Sequence, residues 1–454
     1  VERRSGTKEG CAEGDCGACT VVLVELAGGE LRYRAVNACL LFLPALDGRA
    51  LLTVEGLCLG DAPLHPVQSA MVECHASQCG FCTPGFVMSL TALYESEPAP
   101  SRQRLDEVLA GNLCRCTGYR PIVEAARLAW SRGGPSRLAE QQAQLRAQLA
   151  TIARAEPLEL THQGRRWWAP RTLDEAARLA AAHPSAHLLA GATDAGLWVT
   201  KQRRSLGEVI SLSAVEELRR VEVTARHVEV GAAATYTEAL GPLEAEHPAL
   251  GALIRRIGSL QIRNAGTLGG NLANASPIGD TAPALLALEA TVVTRHGEAT
   301  RELPLEAFFK GYRQTALRQG ELLTRIRVPR RTPGLELRVY KVAKRFDQDI
   351  STVCGAFAVA LEGGRVRHVR VAFGGVAATP VRVAACEQAL LGRPWSQATV
   401  EAAVPALDAA LIPLSDFRGS ADYRRLVTQN LLRKFLLETG GAAAPSRDAA
   451  REAR

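Results

Sequence analysis

Residues Gly10-Cys11-Ala12-Glu13-Gly14-Asp15-Cys16-Gly17-Ala18-Cys19 decide how this chain is read. Cys11, Cys16 and Cys19 are spaced C-x4-C-x2-C, and Cys39 follows in Asn37-Ala38-Cys39-Leu40. Further along, Cys79 and Cys82 read C-x2-C, and Cys114 and Cys116 read C-x-C. Eight of the twelve cysteines thus fall into two sets of four with different spacings. A short loop of the first kind lets one backbone turn present several sulfurs while its N–H groups face what they hold. Gly14 and Gly17 suit so close an approach.

Four thiolates, two per iron, are what a [2Fe–2S] cluster takes, and the first spacing is that of plant-type centres. Cys39 is the expected fourth ligand, returning in space from the far end of a hairpin. The second set has zinc as its alternative, because C-x2-C pairs are common zinc knuckles. Its C-x-C half and its ferredoxin-type neighbour favour a second [2Fe–2S] cluster. Cys58, Cys74, Cys354 and Cys386 lack spacing partners and are expected as small buried residues. Two iron–sulfur centres in one chain imply one-electron traffic.

The composition around these sets is ordinary. The 454 residues are 47% hydrophobic and 22% charged, which allows three or four globular domains. The net charge of +7 is spread without a dense Lys/Arg run, which argues against nucleic acid as a partner. No apolar stretch approaches the roughly 20 residues that span a bilayer, so no membrane association is expected. No secretory signal is present in the sequence, and unpaired thiols at this density suit a reducing cytoplasm.

Along the chain, residues 1–56 are expected to hold the first loop and a hairpin. Thr20 to Glu25 is strand-like, Ala27-Gly28-Gly29 turns, and Leu31 to Val36 returns. Ten residues precede Cys11. A ferredoxin-type domain normally has strands and a helix there, so its N-terminus is expected to be incomplete and its cluster labile if Val1 is the true start. Residues 57–132 read as a helical bundle. Val67, Ala70, Met71 and Cys74 lie on one face, then Phe86, Val87 and Leu90, with Thr83 expected as cap and Pro84 at the first helical position. Leu105, Val108 and Leu109 mark a third helix, and Pro121 opens a fourth with Ile122, Ala125 and Leu128. Residues 133–158 begin with Gly133-Gly134-Pro135-Ser136 and read as a linker with helical tendency. Residues 159–333 mix strands and helices, with Val221, Val223, Val228 and Val230 alternating as half-buried strands. Residues 334–445 form a smaller α/β unit, with Val369, Val371 and Phe373 in one strand. Ser420 is expected to cap a last helix with Leu426, Leu431, Leu432 and Leu436 on its apolar side. Residues 446–454 are expected as a disordered tail. The fold class is multidomain α+β.

Two glycine-rich segments lie in the middle region. Leu188-Leu189-Ala190-Gly191-Ala192-Thr193-Asp194 follows an apolar strand, and its N–H groups suit an anion. In Asn264-Ala265-Gly266-Thr267-Leu268-Gly269-Gly270-Asn271 the small residues admit a pyrophosphate, to which Thr267 and Asn271 can donate. Neither is a G-x-G-x-x-G loop, and an ordinary glycine turn is the alternative for each. Beside two one-electron centres they favour a flavin, which exchanges single electrons on one side and hydride on the other.

These residues resemble a family, the molybdenum hydroxylases, and within it the small iron–sulfur/FAD subunit of the bacterial xanthine dehydrogenase branch. The resemblance rests on the first cysteine loop, on Gln78-Cys79-Gly80-Phe81-Cys82-Thr83-Pro84-Gly85, and on Gly111-Asn112-Leu113-Cys114-Arg115-Cys116-Thr117-Gly118-Tyr119. Gln261-Ile262-Arg263-Asn264 through Gly270-Asn271 to Ser276-Pro277-Ile278-Gly279-Asp280 is similar to the family's FAD signature. Lys341 to Ser351, with Lys344-Arg345-Phe346-Asp347 inside it, resembles the xanthine dehydrogenase branch.

The resemblance implies a β-grasp ferredoxin-like domain and a helical-bundle [2Fe–2S] domain. It also implies a two-part FAD-binding domain of the vanillyl-alcohol-oxidase/CO-dehydrogenase-flavoprotein type and a CO-dehydrogenase-flavoprotein-like C-terminal domain. Cys79, Cys82, Cys114 and Cys116 would hold the cluster nearest a molybdopterin on a separate large subunit, with Gln78 hydrogen-bonded to the pterin. Cys11, Cys16, Cys19 and Cys39 would hold the cluster nearer the flavin. FAD would contact Leu188, Leu189, Ala190, Gly191, Ala192, Thr193, Asp194 and Ala195, then Thr267, Leu268, Gly269, Gly270 and Asn271, and further Asp280, Leu323 and Lys341. Ile257 stands where some members place an aromatic beside the flavin ring. Ala192 replaces a common Gly or Asn, which the fold tolerates if its φ stays negative. Asp280 reads equally as a helix cap before Thr281-Ala282-Pro283 and as a cofactor contact.

The implied activity is an electron relay in oxidation of hypoxanthine or xanthine to urate. Electrons pass from molybdenum through the second cluster, then the first, to FAD and on to NAD+, in a heterotetramer of two small and two large subunits. No residue of this chain is expected to do acid–base chemistry on the purine. The alternatives are the equivalent subunit of an aldehyde or N-heterocycle oxidoreductase, and a stand-alone iron–sulfur flavoprotein carrier.

Overall fold

The computed structural model describes residues 4–58 and 60–440, and the tail expected at 446–454 lies outside them. The chain forms two compact units. The first is Val1–Arg219 with Thr235–Glu238 and Arg255–Thr267, and the second is Arg220–Ala234, Ala239–Ile254 and Leu268–Arg454.

In the first unit, β1 (Thr20–Ala27) and β2 (Glu30–Asn37) pair antiparallel with Ala27 opposite Glu30. The two-residue turn needs positive φ twice, and Gly28 and Gly29 supply it at 60° and 82°. β3 (Ala50–Leu52) adds to the other edge of β1, giving the order β2-β1-β3. Residues Thr20 to Glu25 are all buried because β1 is covered on both faces. Val22 and Val24 join the core of the helices, while Val21 and Leu23 pack with Val36.

Those helices are α1 (Pro66–Glu73), α2 (Thr83–Tyr94), α3 (Arg102–Leu109) and α4 (Arg120–Arg132). The apolar spacing reads correctly, since Val67, Met71, Phe86, Leu90, Leu105, Val108, Ile122 and Ala125 form one core. α2 is buried all round from Gly85 to Leu93, as a central helix must be. Thr83 does not cap it. Cys82 occupies the cap position without a side-chain bond, and the Thr83 hydroxyl instead meets Ser77 Oγ at 2.7 Å. Of the unassigned cysteines, Cys354 and Cys386 are buried as expected, but Cys58 and Cys74 are only half-buried, and the Cys58 thiol donates to Ala62 O.

The stretch after Gly133 forms α5 (Arg137–Glu140) and α6 (Gln142–Ile152), whose Leu138 and Leu149 are buried in the same helical core. Then come β4 (Leu158–His162), β5 (Arg165–Ala169), α7 (Leu173–Ala182), β6 (His187–Leu189), α8 (Ala195–Thr200) and β7 (Glu208–Ser211). The sheet order is β4-β5-β7-β6, with β7 parallel to both of its neighbours. α7 starts on a full capping box, Thr172 with Glu175.

The second unit has two larger antiparallel sheets beside a short two-stranded one, Phe309–Gly311 with Gln314–Thr315. β8 (Val221–Val223), β9 (His227–Gly231), β10 (Thr291–His296), β11 (Ala299–Pro304) and β12 (Leu322–Pro329) pair in the order β11-β10-β12-β9-β8. Val228 and Val230 are fully buried, whereas Val223 is 52% exposed, because three-residue β8 is an edge strand with an open side. The other sheet runs β13 (Leu335–Val342), β14 (Val353–Glu362), β15 (Arg365–Gly374) and β16 (Val381–Arg382) in sequence order. It packs on α11 (Ala384–Leu390), α12 (Gln397–Ala409) and α13 (Ala421–Thr439) through Val369, Val371, Phe373, Leu432 and Phe435. Preceding these three helices, α9 (Leu268–Asn274) and α10 (Thr281–Ala287) carry the second glycine-rich segment and its continuation.

Ser420 caps α13, accepting from Tyr423 N at 3.2 Å. Leu431, Leu432 and Leu436 are buried, but Leu426 is exposed. The buried stripe runs through Arg424, Thr428, Leu431 and Phe435, and Leu426 is about 200° around the helix from Arg424. Among the described residues no helix is long and apolar enough to cross a membrane.

Candidate cofactor sites

The first cysteine loop precedes β1 and is fixed by its neighbours. Thr20 N and Oγ1 both donate to Gly17 O, and Asn37 Nδ2 donates to Gly14 O at 2.8 Å. Gly14 and Gly17 have φ of 79° and 71°. At Gly14 the conformation demands glycine, and at Gly17 the space does too, since a Cβ would lie 2.2 Å from the backbone oxygen of Gly111. Cys39 returns to the loop in the short turn Ala38–Leu40 after β2, anchored by Ala38 N donating to Cys19 O. Cys16 N donates to Cys11 Sγ at 3.3 Å. The Cys39 thiol donates to Cys19, which holds the Cys19 thiol down at about 7 and drives Cys39 far above the usual thiol range.

In the second set, Cys82 sits at the N-cap of α2, while Cys114 and Cys116 lie in the turn before α4. Cys79 and Cys116 are exposed, with their sulfurs 3.4 Å apart. The Phe81 N–H and then the Cys116 thiol hold Cys79 below the ordinary thiol value. Cys82 and Cys114 form the other pair. Burial, and then its hydrogen bond to Cys114, pushes the Cys82 thiol up to about 12. Burial works against the Cys114 thiolate, but the Thr117 hydroxyl at 3.1 Å, the Thr117 and Cys116 backbones and the Cys82 thiol together bring its pKa down.

Each set is therefore arranged as two pairs: Cys11 with Cys16 and Cys19 with Cys39, then Cys79 with Cys116 and Cys82 with Cys114. One tetrahedral zinc draws four sulfurs around a single point, whereas two bridged irons each take a pair. The paired donors fit a dinuclear iron–sulfur centre in both places.

The two loops also touch through backbone. Leu113 N donates to Cys16 O at 2.9 Å, and Asn112 Nδ2 donates to Gly17 O at 2.9 Å. Cβ atoms on Gly17 and Gly85 would lie 2.2 Å from Gly111 O and 2.3 Å from Gly17 O. Asn112, quoted in the sequence as part of a motif but given no role there, is the side chain that joins the loops. Gln78 lies exposed beside Cys79.

Leu188 and Leu189 end β6, Ala190 to Asp194 turn, and Ala195 begins α8. A Cβ on Gly191 would meet Ala265 O at 2.0 Å, so this loop crosses the 264–267 strip in backbone contact. Ala192 has φ +58, so the condition on which the fold would tolerate it without strain is not met, and such a residue stores about 1 kcal/mol. α8 ends on the first cysteine loop. Thr200 Oγ1 donates to Ala12 O at 2.8 Å, and Lys201 donates to Cys11 O and pairs with Glu13 at 3.2 Å. Neither contact was visible in the sequence, since about 190 positions separate the partners. Ile257 is half-buried and its carbonyl accepts from Arg263; Thr267 is buried and bridges to Thr235.

The remaining flavin candidates belong to the second unit. Leu268 to Asn271 form the start of α9, where a Cβ on Gly269 would lie 2.5 Å from Ala232 O. Asn271 Oδ1 accepts from Thr281 Oγ1 at 2.6 Å, which turns its amide nitrogen elsewhere. Asp280 stands at the cap position of α10 but makes no cap bond. Its carboxylate is instead ion-paired to buried Lys341 and accepts from Ser351 Oγ at 2.6 Å. Leu323 is buried in β12 opposite Thr294.

Comparison with known proteins agrees with this geometry. Residues 53–127 match the [2Fe-2S] binding domain, residues 160–331 the FAD binding domain in molybdopterin dehydrogenase, and residues 338–439 the CO dehydrogenase flavoprotein C-terminal domain. Xanthine dehydrogenase of Emericella nidulans is 32% identical over 95% of this chain and 36% of its own length. Aldehyde oxidase 2 of Macaca fascicularis is 32% identical over 96% of this chain and 37% of its own. The chain spans a little over a third of the length of these curated relatives. A carbon monoxide dehydrogenase from Hydrogenophaga pseudoflava, which lacks the Mo-pyranopterin moiety of its cofactor, superposes with TM-score 0.59 at 28% identity, covering 63% of this chain and 100% of that one. Quinoline 2-oxidoreductase from Pseudomonas putida 86 gives 0.56 at 26% identity, over 60% and 96%. With a [2Fe–2S] domain followed by both flavoprotein domains in one multidomain α+β chain, this protein is similar over nearly its whole length to the iron–sulfur and flavin portion of molybdenum hydroxylases.

Proposed function

We propose that the chain is the electron-transfer part of a xanthine dehydrogenase, serving oxidation of hypoxanthine and xanthine to urate with NAD+ as acceptor. The observation that carries the relay is α8, which begins at the 188–195 loop and ends hydrogen-bonded to the Cys11 loop, itself bonded to the second loop through Leu113. When bound, the clusters supply single-electron steps and FAD supplies their conversion to hydride. Cys79, Cys82, Cys114 and Cys116 hold the cluster facing outward, where a molybdopterin-binding large subunit would dock and Gln78 would meet the pterin. Cys11, Cys16, Cys19 and Cys39 hold the inner one. FAD is held by Leu188 to Ala195, Ile257, Thr267 to Asn271, Asp280, Leu323 and Lys341. The assembly is two small with two large subunits in the cytoplasm.

The preference for xanthine rests on the 341–351 stretch and on xanthine dehydrogenases among the relatives at 30–33% identity. Aldehyde oxidation is the second reading, because an aldehyde oxidase matches equally well. The deciding experiment is iron, sulfide, flavin and molybdenum analysis of the complex purified with its natural partner, followed by turnover of xanthine and of an aldehyde with NAD+ or oxygen. About four irons per chain and xanthine-dependent NAD+ reduction are expected. A colourless protein without inorganic sulfide overturns the relay, and turnover of aldehyde alone overturns the substrate.

A further inference from the structure

Gln261 is 1% exposed, and its carboxamide nitrogen faces four oxygens. They are Thr20 Oγ1 at 3.2 Å, Ser89 Oγ at 3.1 Å, Gly111 O at 3.3 Å and Asn112 Oδ1 at 3.2 Å. Thr20 directly follows Cys19. Ser89 lies on α2, which Cys82 opens, and Gly111 and Asn112 lead into Cys114. One nitrogen therefore meets three segments, each carrying a cysteine of one set or the other. Its own strip, 255–267, is the one crossed by the Gly191 loop.

The local hydrogens are already committed. Thr20 Oγ1 donates to Gly17 O at 2.7 Å, and Ser89 Oγ donates to Asn112 Oδ1 at 2.7 Å. Asn112 Nδ2 reaches Thr20 Oγ1 at 3.3 Å, and Gln261 brings the further N–H groups that face Ser89 Oγ, Gly111 O and Asn112 Oδ1. Its own oxygen has no hydrogen-bond partner, although a buried orphan acceptor is costly. The side chain is placed for what its nitrogen does to the loops. Gly111 matches it, since a Cβ there would lie 2.0 Å from Gln261 Oε1.

We propose that Gln261 is a positioning residue that sets the separation of the two cysteine loops and ties both to the flavin-side strip. The proposal rests on reading the two cysteine sets as [2Fe–2S] ligands. Without the donor, the facing oxygens separate or admit water, and the two centres move apart while each keeps its four sulfurs.

The test compares wild type, Gln261→Met and the milder Ser89→Ala in the full native complex. Iron and inorganic sulfide are counted, and the dithionite-reduced EPR spectrum is recorded for the splitting produced by spin coupling between the centres. Full iron and sulfide in Gln261→Met, unchanged g-values and a reduced splitting are expected, with a smaller reduction in Ser89→Ala. A purely structural role would lower the melting temperature and leave the splitting alone. Unchanged splitting in a loaded Gln261→Met protein overturns the proposal. If that variant loses its iron, unchanged splitting in Ser89→Ala overturns it equally. Absence of two reduced-state signals in wild type removes the underlying cluster reading, a failure separable from the first because no variant is needed to see it.

Discussion

Ala192 and Gly191 stand side by side and lead to opposite expectations. Ala192 holds φ +58, where a Cβ is strained. Ala192→Gly removes that strain but adds unfolded-chain entropy that offsets much of it, so a net stabilisation of at most about 0.5 kcal/mol is expected. A rise in the thermal midpoint of the apoprotein checks it, and a fall would show the strain to be relieved elsewhere. Gly191→Ala places a methyl 2.0 Å from the Ala265 carbonyl oxygen, a backbone atom that cannot swing aside. Loss of bound flavin with iron content retained is expected, read from absorbance and iron assay of the same sample. The grouping of the cysteines was legible because spacing alone brings sulfurs together in a short loop. Gln261 was not, since its partners lie 149 to 241 positions away and its signal was one letter within a motif. Asp280 misled for a related reason: a residue at a helix start looks like a cap until Lys341 arrives from β13 and Ser351 from the segment before β14.

Elements were read best where one period governs them. Hairpin β1–β2 and helices α1 to α4 follow their apolar spacing, but Leu426 and Val223 fell on exposed faces that local periodicity does not fix. Strand pairing across the five-stranded sheet depends on a carboxylate that the sequence did not single out. Glu321, just before β12, accepts from Thr294 of β10 at 2.5 Å, Arg301 of β11 at 2.6 Å and Arg318 N at 2.7 Å. Burial raises its pKa, but Arg301, Thr294 and the Arg318 N–H outweigh this and hold the group near about 2 against an ordinary 4.5. A folded value below the unfolded one means that the stabilisation is whole above pH about 4.5 and fades as pH falls toward about 2. Glu321→Gln should flatten that part of the stability–pH curve while lowering stability at neutral pH, measurable by urea unfolding between pH 2.5 and 7.

At the scale of the whole chain, the compact units do not follow sequence order. The 255–267 strip belongs with the cysteine loops although residues on both sides of it belong to the other unit. No composition shift announces this, because the strip is held by side-chain bonds such as Asn264 Nδ2 to Ala35 O and Arg263 to Glu107. Both cysteine sets lie in the first unit, which sets an expectation for iron removal. Reductive chelation should raise hydrogen exchange across 8–20, 78–83 and 111–117, and leave β9, β10 and β12 of the second unit protected. Equal loss of protection in both would contradict the division.

The Leu113 amide on the Cys16 carbonyl also constrains the order of birth. The amino-terminal cradle takes a wall from a residue translated nearly a hundred codons later. A nascent chain halted before residue 111 would expose the first thiols without that wall. The first cradle is therefore complete only once the second loop has been made.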